Sequence, residues 1–253
     1  MSKRKFHTNL LSGMALVRFL EILSNLTHVS SKTADSHLEG NKANWSEYLQ
    51  GHSIKYIENQ HALTMLKYGS YRKHFSKWFF NGEDVVAAKN TCGVISVYNS
   101  LLYLGVEGEE ATFPYLLNYF EKRSSVLKGY FGTSFIGIIK YFKNNGYDYR
   151  YVCGKKITEE SLKDIEDNYK TFIFVSYNNI ESISDMIHTM SITREAEGFT
   201  IHNSGSKPEY FGTLYEAVVG YNACNGIKSR PIAVIGIGDK KSKDNSEGYG
   251  NEE

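Results

Sequence analysis

Apolar residues along the chain follow two regimes, helical spacing in the first half and strand-like runs in the second. Between Cys92 and Gly105, Val94, Tyr98 and Leu101 recur on one line with Ile95 and Leu102 beside it. That spacing predicts a helix that opens at Cys92 and is closed by Gly105. Helices are also predicted from Phe113 to Lys122, with Pro114 in the first turn, and from Ser134 to Asn145 ahead of Gly146. At Tyr147 the period changes. Tyr147, Tyr149, Tyr151 and Cys153 alternate with Asp148, Arg150 and Val152, and Thr171 to Tyr177 is a largely apolar run of strand length. His188 to Thr193 and Gly198 to Asn203 read as two further strands, joined by the polar loop Arg194-Glu195-Ala196-Glu197. A charged helix from Thr158 to Asn168, a helix near Thr213 to Tyr221 and a last strand from Pro231 to Ile237 complete the pattern. Helices first and strands afterwards predict an α+β fold. In it a helical layer carrying Cys92 packs on an antiparallel sheet carrying His188 and Asn203.

The flanks are simpler. Leu10, Met14, Val17, Leu20 and Leu23 suit an amphipathic helix, and Thr27 to about Asn44 is polar enough to read as a linker. Residues 1–44 are therefore expected to form a helix and linker ahead of a main domain over 45–238. Residues 45–80 of that domain are rich in aromatics, Trp45, Tyr48, Phe75 and Trp78 among them, and read as a lead-in or a lid. The tail 239–253 begins Asp239-Lys240-Lys241-Ser242-Lys243 and is expected to be disordered.

Composition narrows the function classes. With 41% hydrophobic residues among 253 the chain can bury a core, and a formal charge of +1 gives no footprint for nucleic acid or an anionic membrane. Lys3-Arg4-Lys5 and the apolar residues after it imitate a signal peptide, but Arg18 and Glu21 interrupt the run too soon. No other segment approaches a membrane span. The three cysteines have no C-x-x-C spacing and leave an odd count, which argues against a disulfide framework and a zinc site. A cytoplasmic protein with no cofactor and no metal is expected.

The candidate chemistry centres on Cys92. At a helix N-terminus the unpaired N–H groups and the dipole favour a thiolate, and Gly93 is expected to leave space beside the sulfur for a substrate. Cys153 and Cys224 lack such a setting and read as structural. Of the eight histidines, only His188 and His202 lie on the predicted strands of the second half. His202 neighbours Asn203 and so points to the opposite face, which makes His188 the base. If Thr193 pairs with Gly198, His188 pairs with Asn203, with Cβ atoms about 5 Å apart. The Asn203 amide oxygen would then hold Nδ1–H, and Nε2 would take the proton from Cys92.

Cys92-Gly93 opening a helix, His188-Thr189-Met190-Ser191-Ile192 and Ile201-His202-Asn203 together resemble the papain-like cysteine peptidases. Within them they resemble the double-glycine bacteriocin-leader peptidases and their stand-alone bacterial relatives, as does Gly132-Thr133-Ser134 leading into a helix. The likeness spans residues 80–238. It implies a papain-like fold, catalytic Cys92, His188 and Asn203, and a peptide or protein substrate, such as a small bacterial peptide cut after small residues. The glutamine that these enzymes carry shortly before the cysteine is replaced here by Val86, and no Gln lies between Gln60 and Cys92. Asn90 is the nearest amide side chain to complete an oxyanion hole. Two other functions fit the same residues: an acyltransferase or amidase using Cys92, His188 and Asn203, and a non-catalytic papain-like binding or chaperone protein.

Overall fold

The run Thr171–Tyr177 forms strand β2, and its apolar character follows from burial on both faces. Ile173 and Val175 face one core while Phe172 and Phe174 face another. The structure, a computed structural model, describes residues 18, 21–51, 56–70, 87–178, 187–205, 208–223, 227–228 and 230–241. Around β2 stand β1 (Tyr147–Cys153), β3 (Ile187–Arg194), β4 (Phe199–His202), β5 (Glu209–Phe211) and the long β8 (Arg230–Lys240). They make one six-stranded antiparallel sheet in the order β1-β8-β2-β3-β4-β5. A separate two-stranded ribbon pairs β6 (Asn222–Ala223) with β7 (Ile227–Lys228).

Helices cover both faces of the sheet. On one side lie α2 (Cys92–Tyr103), α3 (Phe113–Arg123) and α4 (Phe135–Asn144), whose Val94, Leu101, Leu116, Phe120 and Phe142 meet Ile173, Val175 and Ile235. On the other, α5 (Glu159–Asn168) and α6 (Leu214–Gly220) bring Leu162, Ile165, Leu214 and Val218 against Phe172, Met190, Ile192 and Val234. The fold is α+β with helices and an antiparallel sheet. The second helical layer is an addition to the two-layer plan expected from the sequence. Local chemistry sets the helix starts: Thr158 with Ser161 and Thr213 with Glu216 form capping boxes on α5 and α6.

The stretch read as a linker is helical. Ser31–Gly51 forms α1, with only Ala34, Asn41 and Trp45 buried. So few apolar positions hide a helix from a periodicity reading, because polar ties to distant segments hold it in place. Asn41 exchanges two hydrogen bonds with the main chain of Lys67 (2.8 and 2.9 Å), and Asn44 Nδ2 donates to the Met65 carbonyl (2.7 Å). Asp35 pairs with Lys122 and accepts from Asn118. His37 Nδ1 meets the wholly buried Glu121 at 2.8 Å, and the same carboxylate oxygen accepts from Gly69 N–H at 2.8 Å. Burial pushes the Glu121 carboxyl up against the opposing pull of His37. Trp45 packs on Tyr98 and Phe113, with ring centroids 5.8 and 5.3 Å away.

The polar end of the main domain also differs from expectation. β8 continues through Asp239 and Lys240, since Lys240 still pairs with Tyr147 and Lys241 N–H reaches the Gly146 carbonyl at 2.8 Å. Asp239 pairs with Lys170. The residues from 242 onward, the aromatics from Tyr71 to Phe80, residues 1–17 and Cys224 lie outside the described residues.

Glu121→Ala should cost about 2 kcal/mol in a denaturant titration, because the buried Gly69 N–H loses its acceptor. Removal of residues 1–44 should lower the unfolding midpoint further. An unchanged midpoint in that shortened chain would show that α1 is dispensable to the core.

Candidate active site

Cys92 is the first residue of α2, and the helical turn Ala87–Asn90 leads into it. Thr91 breaks the two apart at φ −108°, ψ 12°, with its hydroxyl tied to the Ala87 carbonyl. The sulfur therefore sits where the first-turn N–H groups of a helix lack partners within the helix. Gly93 does not leave an open space beside it. A Cβ there would stand 3.1 Å from Thr133 Cβ and 3.2 Å from Ile138 Cδ1, so glycine admits the neighbouring loop and α4. Gly132 is constrained twice over: its φ is +70°, and a Cβ would come within 2.9 Å of the Asn90 carbonyl oxygen. The loop before α4 is thus pressed against the lead-in to Cys92, and Thr133 Oγ1 is fixed by Tyr68 OH at 2.7 Å.

His188 enters from the start of β3. Helix α2 lies across β2 and β3, with Asn99 Nδ2 bonded to Ser191 Oγ (3.0 Å) and Tyr103 OH to the Arg194 carbonyl (2.9 Å). His188 and Thr189 are the groups near enough to the Cys92 thiol to act on its charge. Burial pushes the thiol up. His188, with Thr189, more than offsets it and holds the thiol below its ordinary value.

Asn203 reaches His188 by a different route from the one the sequence suggested. The β3–β4 register sets Thr193 against Thr200 and Ser191 against His202, two residues from the expected pairing. The hairpin loop is Glu195–Gly198, closed by Glu195 N–H on the Gly198 carbonyl (2.8 Å), and Arg194 remains in β3 opposite Phe199. Gly198 gives room to the end of β5, which pairs alongside β4: a Cβ there would fall 2.3 Å from the Phe211 carbonyl oxygen. The β4 ladder ends at His202, and Asn203 turns away at φ +62°. That turn brings its backbone carbonyl to 2.6 Å from His188 Nε2. A carbonyl oxygen only accepts, so Nε2 carries the proton and Nδ1 is left for the sulfur. The roles of the two ring nitrogens are therefore the reverse of the expectation, and the main chain of Asn203 takes the place of its amide. The amide oxygen instead accepts from Gln60 N–H at 3.1 Å.

Asn90 is 5% exposed, and its Nδ2 is a buried donor with no hydrogen-bond partner. His202 lies apart from the sulfur, buried between Thr193 Oγ1 (2.7 Å) and Glu58 Oε1 (2.8 Å). Cys153 is half-buried on β1, and burial pushes its thiol up. Thr189 and Gln60 belong to the site without having been singled out from the sequence. Adjacency to His188 pointed to Thr189, whereas nothing in its local pattern pointed to Gln60. Among the described residues no group of three or more His, Cys, Asp or Glu could hold a metal ion, and no helix is long and apolar enough to cross a membrane.

No protein-family model and no curated protein matches the chain. Among solved structures it is similar to the peptidase domain of Streptococcus ComA, a bifunctional ABC transporter involved in a quorum sensing pathway. The two are 15% identical with a TM-score of 0.39, over 60% of this chain and 93% of that one.

Proposed function

We propose that the chain is a cysteine peptidase working by acyl transfer through Cys92. The observation that carries this reading is the placing of Cys92 at the start of α2 beside a His188 whose Nε2 is held by the Asn203 carbonyl at 2.6 Å, and His188 draws the thiol pKa down in spite of burial. Nδ1 of His188 takes the thiol proton, and the thiolate attacks the peptide carbonyl carbon. The imidazolium then protonates the leaving amine as the C–N bond breaks, and a thioester remains on Cys92. Water, deprotonated by the same nitrogen, releases the acid and restores the thiol. The Asn203 carbonyl keeps Nε2–H in place throughout, so the ring cannot turn its other edge to the sulfur.

Two donors suit the oxyanion: the Cys92 N–H at the helix start and Asn90 Nδ2. The second is supported by its state in the free protein, buried and unpartnered, as a donor awaiting substrate charge should be. The substrate proposed is a peptide, in keeping with the resemblance to leader peptidases, and the acceptor is water. A thiolate of lowered pKa oxidises readily, which favours a reducing, cytoplasmic setting.

Iodoacetamide should alkylate Cys92 at pH 6, well below the ordinary thiol pKa of about 8.5. The sign follows from the lowered thiol: its ionised form persists at a pH where an ordinary thiol is protonated. In His188→Ala burial dominates, the thiol rises, and alkylation at pH 6 should slow by about tenfold or more. Equal rates in the two proteins would sink the thiolate–imidazolium pair. Cys92→Ala should abolish peptide turnover with an unchanged unfolding midpoint, and mass analysis of products with and without added amine tells hydrolysis from transfer. Asn90→Ala should lower turnover by about 100-fold while leaving the alkylation rate alone. A matching fall in alkylation would mean that Asn90 positions the helix start instead.

A further inference from the structure

The segment Tyr56–Gln60 belongs to neither the helix that carries Cys92 nor the sheet that carries His188, yet it is fastened to both. Ile57 N–H donates to Asn99 Oδ1 of α2 (2.9 Å), and Asn99 Nδ2 returns a bond to the Ile57 carbonyl (3.1 Å) while also holding Ser191 of β3. Glu58 Oε1 meets the buried His202 Nδ1 at 2.8 Å, and the Tyr56 ring lies on the His202 ring with centroids 4.3 Å apart. These ties fix the segment just ahead of the point where it presents the Gln60 N–H to Asn203 Oδ1. Gln60 Nε2 extends to the Lys89 carbonyl at 3.5 Å, in the turn that leads to Cys92.

We propose that Gln60 is a positioning residue for the His188 base, its backbone N–H locking the Asn203 turn whose carbonyl holds the imidazole. The inference rests on the reading of Cys92 and His188 as nucleophile and base. Asn203 lies beyond the last ladder pair of β4, so strand pairing does not fix its orientation. Its left-handed backbone (φ +62°) is accessible to Asn and Gly but lies away from the broad minima of other residues. Asn203 Nδ2 is buried without a partner, so the side-chain anchor is the bond from Gln60 to Oδ1. Without it the carbonyl is free to rotate away from Nε2, and the neutral ring can then place its proton on either nitrogen. A proton on Nδ1 disables the base.

Gln60→Pro removes the N–H with little disturbance elsewhere. Gln60 opens a short 3₁₀ turn, where the proline φ fits, and Asn59 before it is extended (φ −140°, ψ 108°), as a residue preceding proline must be. Asn203→Gly breaks the same bond from the other side and keeps the left-handed turn and its carbonyl. The ¹⁵N shifts of the His188 ring, read in a Cys92→Ala background at alkaline pH where the ring is neutral, report the tautomer directly. The parent and Gln60→Ala, which keeps the N–H, should show the Nε2–H form. Gln60→Pro and Asn203→Gly should show a mixture, and with Cys92 present their alkylation at pH 6 should fall by about tenfold at an unchanged unfolding midpoint. A pure Nε2–H form in both variants, or a mixture in Gln60→Ala as well, would overturn the proposal. A wild-type thiol that reacts no faster than an ordinary one would instead count against the peptidase reading, and the ring tautomer would still judge Gln60.

Discussion

Helix α2 is buried on every side, and the placement of the rest follows from what must cover it. From Gly93 to Leu101 every residue is buried, so one stripe of contacts would not suffice. The sheet covers one flank through β2 and β3, α3 and α4 cover others, and Trp45 of α1 closes the gap beside Tyr98 and Phe113. A helix enclosed in this way cannot slide or rotate without disturbing several close-packed surfaces at once. Both of its ends are half-exposed, and the first of them carries Cys92. The sulfur thus inherits its position from the whole core, while the groups that act on it come from the edges.

Those edges are held by polar rather than apolar contacts. Asn99 inside α2 ties the helix both to β3 and to Ile57, and each of these bonds is buried. In a low-dielectric interior such bonds specify a unique arrangement, since a shifted one would strand donors and acceptors away from water. The same logic governs α1. Trp45 is its one large buried side chain, and the exchange between Asn41 and Lys67 with the Glu121–His37–Gly69 contact supplies the registry that a single apolar anchor does not.

How much of this was legible from sequence depends on the range of the interaction. The spans of α3, α4, α5 and α6 followed from caps and periodicity within a few residues of each end, and the β2 run was plain from composition. The start of α2 at Cys92 was legible for the same reason. The helix α1 was not, because its partners lie at Lys67, Asn118, Glu121 and Lys122. The hairpin was read two residues out of register because Gly198 looked like a strand start. Its lack of a side chain in fact admits the end of β5 alongside, a contact that no local pattern announces. Asn203 was found for its amide and acts on His188 through its carbonyl, since a change of backbone handedness at one residue has no signature in residue type beyond a tolerance for it. Gln60 meets Asn203 across most of the chain, beyond the reach of any spacing argument.

The position of β8 carries a consequence for how the molecule assembles. This strand follows every other strand in sequence and yet lies between β1 and β2, pairing with both. Until residues 230–240 have been synthesised, β1 has no neighbour and β2 shows a bare hydrogen-bonding edge lined by Phe172 and Ile173. Two edges of this kind are templates for association with other chains. Closing the sheet also requires the contact of longest sequence separation between strands, which makes it a slow step. A growing or prematurely terminated chain can therefore cover the helix of Cys92 with β2 and β3 while β1 and one edge of β2 stay open, so the β1 side of the sheet is completed last.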